Sequence, residues 1–172
     1  MNIKLCNEKQ LPEILAIFNE AILNSTALYD YKIRTLENIK DWYSEKQIHN
    51  YPIIGAFDIQ DNLLGFATYG QFRIRPAYKY TVEHSVYVRI DKRGQGIAKN
   101  LLQELIAMAK AQDYHVIVGV IDALNLTSIK LHEKQGFKLN GIINEVGYKF
   151  GKWLDAAFYQ LILDSPKSPN EE

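Results

Sequence analysis

Apolar positions recur along the chain with two periods, and the points where one gives way to the other predict the elements. Asn2–Cys6 reads as a short first strand. Leu11, Ile14, Leu15, Phe18 and Ile22 then repeat at helical spacing, with Asn7-Glu8-Lys9-Gln10 as the cap and Pro12 tolerated in the first turn. The polar stretch Asn24–Tyr31, NSTALYDY, breaks that helix. A second one starts at Thr35-Leu36-Glu37-Asn38, runs through Ile39, Trp42 and Tyr43 toward Ile48, and ends at Tyr51-Pro52. Ile53–Ile59 and Leu63–Phe72 read as two strands with Asp61-Asn62 as their turn, and Tyr80–Ile90 as a third. Ile97, Leu101, Leu102, Leu105, Ile106 and Ala109 return to helical spacing. His115–Ile121 is an apolar strand, Asn125–Gln135 a helix closed by Gly136, and Phe137–Val146 and Trp153–Leu163 the last two strands, joined by Gly147–Lys152.

The order is strand, two helices, three strands, helix, strand, helix, two strands. Runs of strands interrupted by crossovers predict an α+β chain with a mixed sheet and helices on both faces, not strict Rossmann alternation. The length fits one domain over residues 1–163, and Asp164–Glu172, with two prolines and no hydrophobic residue, reads as a frayed polar tail. A formal net charge of zero gives no reason to expect a nucleic-acid or anionic-membrane surface. No apolar run reaches spanning length, and the first ten residues lack the core of a signal peptide. The one cysteine, Cys6, excludes an internal disulfide and reads as buried, which suits a cytoplasmic setting. The four histidines have no metal-ligand spacing, so no metal is expected.

Chemistry concentrates at Tyr80–Leu102. A strand, a glycine-bearing turn and a helix start together form an anion site, because the first helical N–H groups are unpaired and glycines let a phosphate approach the backbone. The turn is Arg93-Gly94-Gln95-Gly96-Ile97-Ala98. A P-loop would need Lys-Ser/Thr after the last glycine, and a dinucleotide fingerprint would need a small residue where Lys99 stands. Arg93, Gly96 and Ala98 fit Arg/Gln-x-x-Gly-x-Gly/Ala, although an ordinary turn with two glycines fits as well.

That form resembles the pyrophosphate loop of the GCN5-related N-acetyltransferases (GNAT), which bind acetyl-CoA. A second motif, Asn125 to Phe137 (NLTSIKLHEKQGF), resembles the family's Asn-x-x-(Ala/Ser)-x-x-x-Tyr-Glu-x-x-Gly-Phe. Arg75–Tyr78, Thr81–Val88 and Gly147–Asp155 are similar to the phosphinothricin and methionine sulfone/sulfoximine N-acetyltransferase branch, over roughly Ile3 to Leu163. The resemblance implies the GNAT fold, a mixed, mostly antiparallel sheet of about seven strands with about four helices, and a homodimer, for which Tyr148, Phe150, Trp153, Phe158 and Tyr159 are candidate interface aromatics.

It also implies a site. Val86, Tyr87 and Val88 would offer backbone groups to the pantetheine, one of them polarising the thioester carbonyl. The loop Arg93, Gly94, Gln95, Gly96, Ile97, Ala98 would hold the pyrophosphate, Asn125 would hydrogen-bond the pantetheine arm, and the helix it begins, with Ser128, would line the sulfur end. Glu83 would be the general base, since a carboxylate within a Val/Tyr strand is costly to bury unless it is used. His132, where many relatives carry a tyrosine, would be the general acid. His84 points to the opposite strand face from Glu83 and reads as structural. Arg73, Arg75 and Tyr78 would bind an acceptor carboxylate, with Tyr29 closing over it. The implied activity is acetyl transfer to the α-amine of a small amino-acid-like acceptor in a ternary complex. Alternatives are an acetyltransferase acting on a protein N-terminus or a polyamine, and a non-catalytic CoA-binding regulatory module.

Overall fold

The computed structural model describes residues Met1–Glu171. Its strands are β1 (Asn2–Leu5), β2 (Ile53–Phe57), β3 (Leu63–Gln71), β4 (Thr81–Val88), β5 (Val116–Asp122), β6 (Lys138–Lys149) and β7 (Lys152–Ile162). The four α-helices among the described residues are α1 (Leu11–Asn24), α2 (Leu36–Ile48), α3 (Ile97–Ala111) and α4 (Leu126–Lys134). The strands follow the order β1-β2-β3-β4-β5-β7-β6 in one mixed sheet. β4 and β5 run parallel, while β1–β2, β2–β3, β5–β7 and β6–β7 are antiparallel. This is the expected α+β class. The contacts divide the chain into two units, Met1–Thr68 with Ser85–Leu105, and Tyr69–His84 with Ile106–Glu172.

In the first unit, the apolar face of α1 (Leu11, Ile14, Ile17, Phe18, Ala21) packs in one core with Ile39 of α2 and with Ile53, Phe57, Leu63 and Phe66 of β2 and β3. Phe18 is central to it, with ring centroids 5.3 Å from Trp42, 4.9 Å from Phe66 and 5.1 Å from Tyr87. Its fully buried ring contributes about 1.5–3 kcal/mol by removal from water alone. Thr35 starts α2 through a capping box with Asn38, as its sequence predicts. Asn7 instead caps a 3-10 turn, Glu8–Gln10, that leads into α1. Between β2 and β3, Asp58 holds the turn by accepting N–H groups from Gln60 and Asn62, and Asp61 adopts φ 65°. Cys6 is buried, and burial pushes its thiol up to about 12.

In the second unit, β7 lies between β5 and β6. β6 runs three residues further than its apolar pattern predicts, with Gly147, Tyr148 and Lys149 paired to Leu154, Trp153 and Lys152. The reason is the turn: Phe150 and Gly151 both adopt positive φ, 51° and 75°, and such two-residue turns match the twist of paired strands. Tyr159 is buried in the core and so leaves the set of candidate interface aromatics, whereas Tyr148, Phe150 and Trp153 are exposed.

The described part of the tail is not frayed. Ser165 is buried and donates its hydroxyl to the Tyr114 carbonyl at 2.6 Å, and its own carbonyl lies 2.8 Å from His115 Nδ1. Asn170 donates its N–H to the Tyr80 hydroxyl and accepts from Lys79 Nζ at 2.9 Å. Polar composition did not reveal this, because these partners are a backbone carbonyl and side chains just ahead of β4 and β5, up to 91 positions away. No helix among the described residues is long and apolar enough to cross a membrane.

Candidate active site

Strand periodicity sorts the residues of β4. Val82, His84 and Tyr87 are buried, while Thr81, Glu83 and Ser85 are half-buried. Glu83 sits opposite Val118 in the last registered pair of the parallel ladder, which joins β4 and β5 over only Thr81–Glu83 and Val116–Val118. The carboxylate therefore stands where pairing with β5 ends, on the face opposite His84. That is the position a strand-borne base needs to reach a molecule outside the sheet.

In the first unit, β4 ends in Val86, Tyr87 and Val88. The Tyr87 ring belongs to the core, 5.1 Å from Phe18 and 5.4 Å from Phe66. The loop that follows alternates ordinary and left-handed backbone. Gly94 and Gly96 both lie at φ 78°, and a Cβ built on either meets no atom within 4 Å. α3 starts at Ile97, directly after Gly96, so open backbone leads into a helix N-terminus. Arg93 is half exposed: Nη2 pairs with Glu20 on α1 at 2.6 Å and Nε donates to the Val88 carbonyl at 3.2 Å. Its side chain fastens the loop to α1 and β4. Glu20 is a residue the sequence reading missed, 73 positions away and with no local signal.

In the second unit, Asn125 is the N-cap of α4, its Oδ1 accepting the Ser128 N–H at 3.1 Å, so its amide NH2 is the group left for a ligand. His132 is buried on the same helix. Its Nδ1 lies 2.7 Å from the Ser128 carbonyl and its Nε2 3.0 Å from His84 Nε2. A carbonyl only accepts, so His132 carries its proton on Nδ1, its Nε2 is a lone pair, and His84 Nε2–H donates to it. Burial pushes both imidazoles below their ordinary range. His132, expected as the general acid, is thus engaged at both ring nitrogens, with its proton directed at the Ser128 carbonyl.

Arg73, Arg75 and Tyr78 line an open cleft of about 700 Å³ with Gln71, Phe72 and Ile74. Arg73 folds back, its guanidinium 4.3 Å from the Phe72 ring centroid and its Nη1 donating to the Phe72 carbonyl. Arg75 is exposed at the start of the 3-10 turn Pro76–Tyr78. Arg75 is thus better placed than Arg73 to meet a carboxylate. Tyr29, in the first unit, is partly exposed in the segment between α1 and α2, which Asp30–Arg34 and Asn19–Arg34 contacts hold in place. No cluster of metal-ligating side chains occurs among the described residues.

Residues 3–158 match the model of the acetyltransferase (GNAT) domain. The chain belongs to the GNAT acetyltransferases. It is 46% identical over 158 residues to the L-methionine sulfoximine/L-methionine sulfone acetyltransferase of Pseudomonas aeruginosa, covering 92% of each chain. An N-acetyltransferase from Staphylococcus aureus Mu50 superposes with a TM-score of 0.91 at 50% identity, over 94% of this chain and 97% of that one. A GNAT phosphinothricin acetyltransferase from Sinorhizobium meliloti, solved with acetyl-CoA, superposes at 0.94 with 32% identity, over 98% and 91%. The seven-stranded sheet and four helices of this GNAT domain are thus those its sequence predicts.

Proposed function

We propose that this acetyltransferase transfers the acetyl group of acetyl-CoA to the α-amine of a small amino-acid-like acceptor of the methionine sulfoximine, methionine sulfone or phosphinothricin type. The observation that carries the reading is kinship over nearly the full length of both chains with an enzyme of that name. The chemistry follows from the residues in place. Glu83 removes a proton from the acceptor ammonium, directly or through water, and the free amine attacks the thioester carbonyl. A main-chain N–H within Val86–Val88 steadies the tetrahedral oxyanion. The C–S bond then breaks, and the second proton of the attacking nitrogen passes to the departing thiolate or to solvent, so the step needs no separate side-chain acid. The loop from Arg93 to Ala98 receives the pyrophosphate on main-chain N–H groups, with Arg93 as its tether, and Asn125 and Ser128 face the pantetheine arm.

Arg75 fits the acceptor carboxylate, being an exposed guanidinium on the link into β4. Turnover should therefore be highest for α-amino acids in a thiol-release screen against peptides and polyamines. Arg75→Ala is expected to lower kcat/KM for the acceptor about ten- to a hundred-fold, the loss of one charged hydrogen-bonded partner, with little change in the KM of acetyl-CoA. An acceptor with its carboxylate converted to an amide should lose activity on the native enzyme and little more on the variant. Faster turnover of a polyamine or a peptide N-terminus would replace this reading. Acetyl-CoA binding without turnover of any amine would make the protein a binding module.

We also infer a homodimer. β6 is an edge strand whose Leu139, Ile142, Ile143, Val146 and Tyr148 are each about half exposed, and Phe150 and Trp153 extend the same apolar run. An uncovered apolar edge of this length invites a second copy. Sedimentation at micromolar concentration should give a species of twice the chain mass, and Ile143→Glu should shift it to monomer. A clean monomer for the native protein removes the inference.

A further inference from the structure

The buried pair His84–His132 is a polar pair in an apolar setting, and the chemistry above does not use it. The two rings stack 5.0 Å apart at 26°, with Phe137 edge-on to both at 5.5 and 5.2 Å. They lie over Gly119, the first β5 residue beyond the β4–β5 ladder. A Cβ there would stand 2.9 Å from His84 Nε2 and 3.3 Å from His132 Nε2. That close approach explains a glycine within the run VIVGVI. His84 Nδ1 is buried and without a hydrogen-bond partner among the described residues, so the contact to His132 is the one hydrogen bond of its ring there.

We propose that His84 is a positioning residue for acetyl transfer. Its Nε2–H holds His132 in the Nδ1–H tautomer, and the pair, seated on Gly119, fixes the register of α4, whose first turns carry Asn125 and Ser128. The chain of contacts is continuous: His84 Nε2–H to His132 Nε2, His132 Nδ1–H to the Ser128 carbonyl, Ser128 N–H to Asn125 Oδ1. A donor on the sheet thereby sets the orientation of the helix cap one turn beyond. This rests on the reading that Asn125 and Ser128 face the pantetheine arm.

The test combines nitrogen-15 NMR of the imidazoles with kinetics on the full-length chain. In the native protein, His132 should appear as the Nδ1–H tautomer and His84 as Nε2–H, both neutral at pH 7. His84→Leu keeps bulk but removes the donor, leaving the His132 lone pair buried and unmet. Such an orphan is expected to cost about five- to fifty-fold in kcat/KM for acetyl-CoA, mostly through KM, with loss of the single His132 tautomer. His84→Gln restores an N–H donor and should return the tautomer and most of the lost affinity. A folded Leu variant within twofold of native in kcat and KM would overturn the proposal, as would a native spectrum showing His132 as Nε2–H. The native spectrum decides the matter even if the Leu variant fails to fold. Failure of the native protein to bind acetyl-CoA by calorimetry would instead sink the functional reading beneath it.

Discussion

Glu83→Gln is expected to lower turnover by about two to four orders of magnitude at neutral pH, the contribution of a placed general base, with acetyl-CoA affinity unchanged. The amide keeps the shape and hydrogen-bonding reach of the carboxylate, so the half-buried site on β4 stays filled. What it cannot do is take a proton. An α-amine is protonated at neutral pH and its ammonium form has no lone pair for attack, so the variant works only on the small fraction already free. The deficit should therefore shrink as pH rises, because that fraction grows. Steady-state rates from pH 6 to 10, with calorimetry for acetyl-CoA, measure both halves of the expectation. Near-native turnover at pH 7 would remove Glu83 as the base. A deficit independent of pH would point to a positional role in place of proton transfer.

The second large effect is expected at Gly96. Its φ of 78° is left-handed, and aspartate is among the non-glycine residues that tolerate that region best, so Gly96→Asp should still fold. A Cβ there meets no atom within 4 Å, so the substitution creates no clash within the protein. What changes is the charge: a carboxylate would stand where main-chain N–H groups lead into α3. Two unit charges about 4 Å apart repel by about 4 kcal/mol at a surface-like dielectric, and part of that is screened. The expected result is a rise of about a hundred-fold or more in the acetyl-CoA dissociation constant, measured by titration calorimetry. Gly96→Ala carries the backbone strain without the charge and should fall between the two. Unchanged affinity in a folded Gly96→Asp protein would mean that the pyrophosphate binds elsewhere.

The two substitutions probe features that local sequence rules place. The loop is written locally: two glycines, a preceding strand and a following apolar repeat specify backbone conformation by themselves, and Gly94 and Gly96 adopt the left-handed geometry that only glycine takes without cost. Glu83 is legible for a related reason, because alternation in Thr81–Val88 sorts the residues onto two faces and leaves a carboxylate among Val and Tyr. The same local rules give the strands and helices within a few residues at their ends. They misplace the end of β6, where a two-residue turn with Phe150 at positive φ extends pairing beyond the apolar pattern.

Partnerships across distant stretches of chain were decided only in the tertiary structure. Periodicity assigns His84 to the inner face and His132 to a helix. Their 48-residue separation carries no mark of the 3.0 Å contact between their Nε2 atoms. The tie of Arg93 to Glu20 is invisible along the chain, and the tail reads as solvent-bound until Ser165 and Asn170 find carbonyl and hydroxyl partners. Among the C-terminal aromatics, composition alone cannot separate buried Tyr159 from exposed Trp153, since both are large rings in one strand. The physical division is between two kinds of interaction. Backbone hydrogen bonding and side-chain periodicity act over a few residues and are encoded where they act. Pairing of buried polar groups depends on which surfaces the folded sheet and helices bring together, and by itself the sequence determined only the elements available to meet.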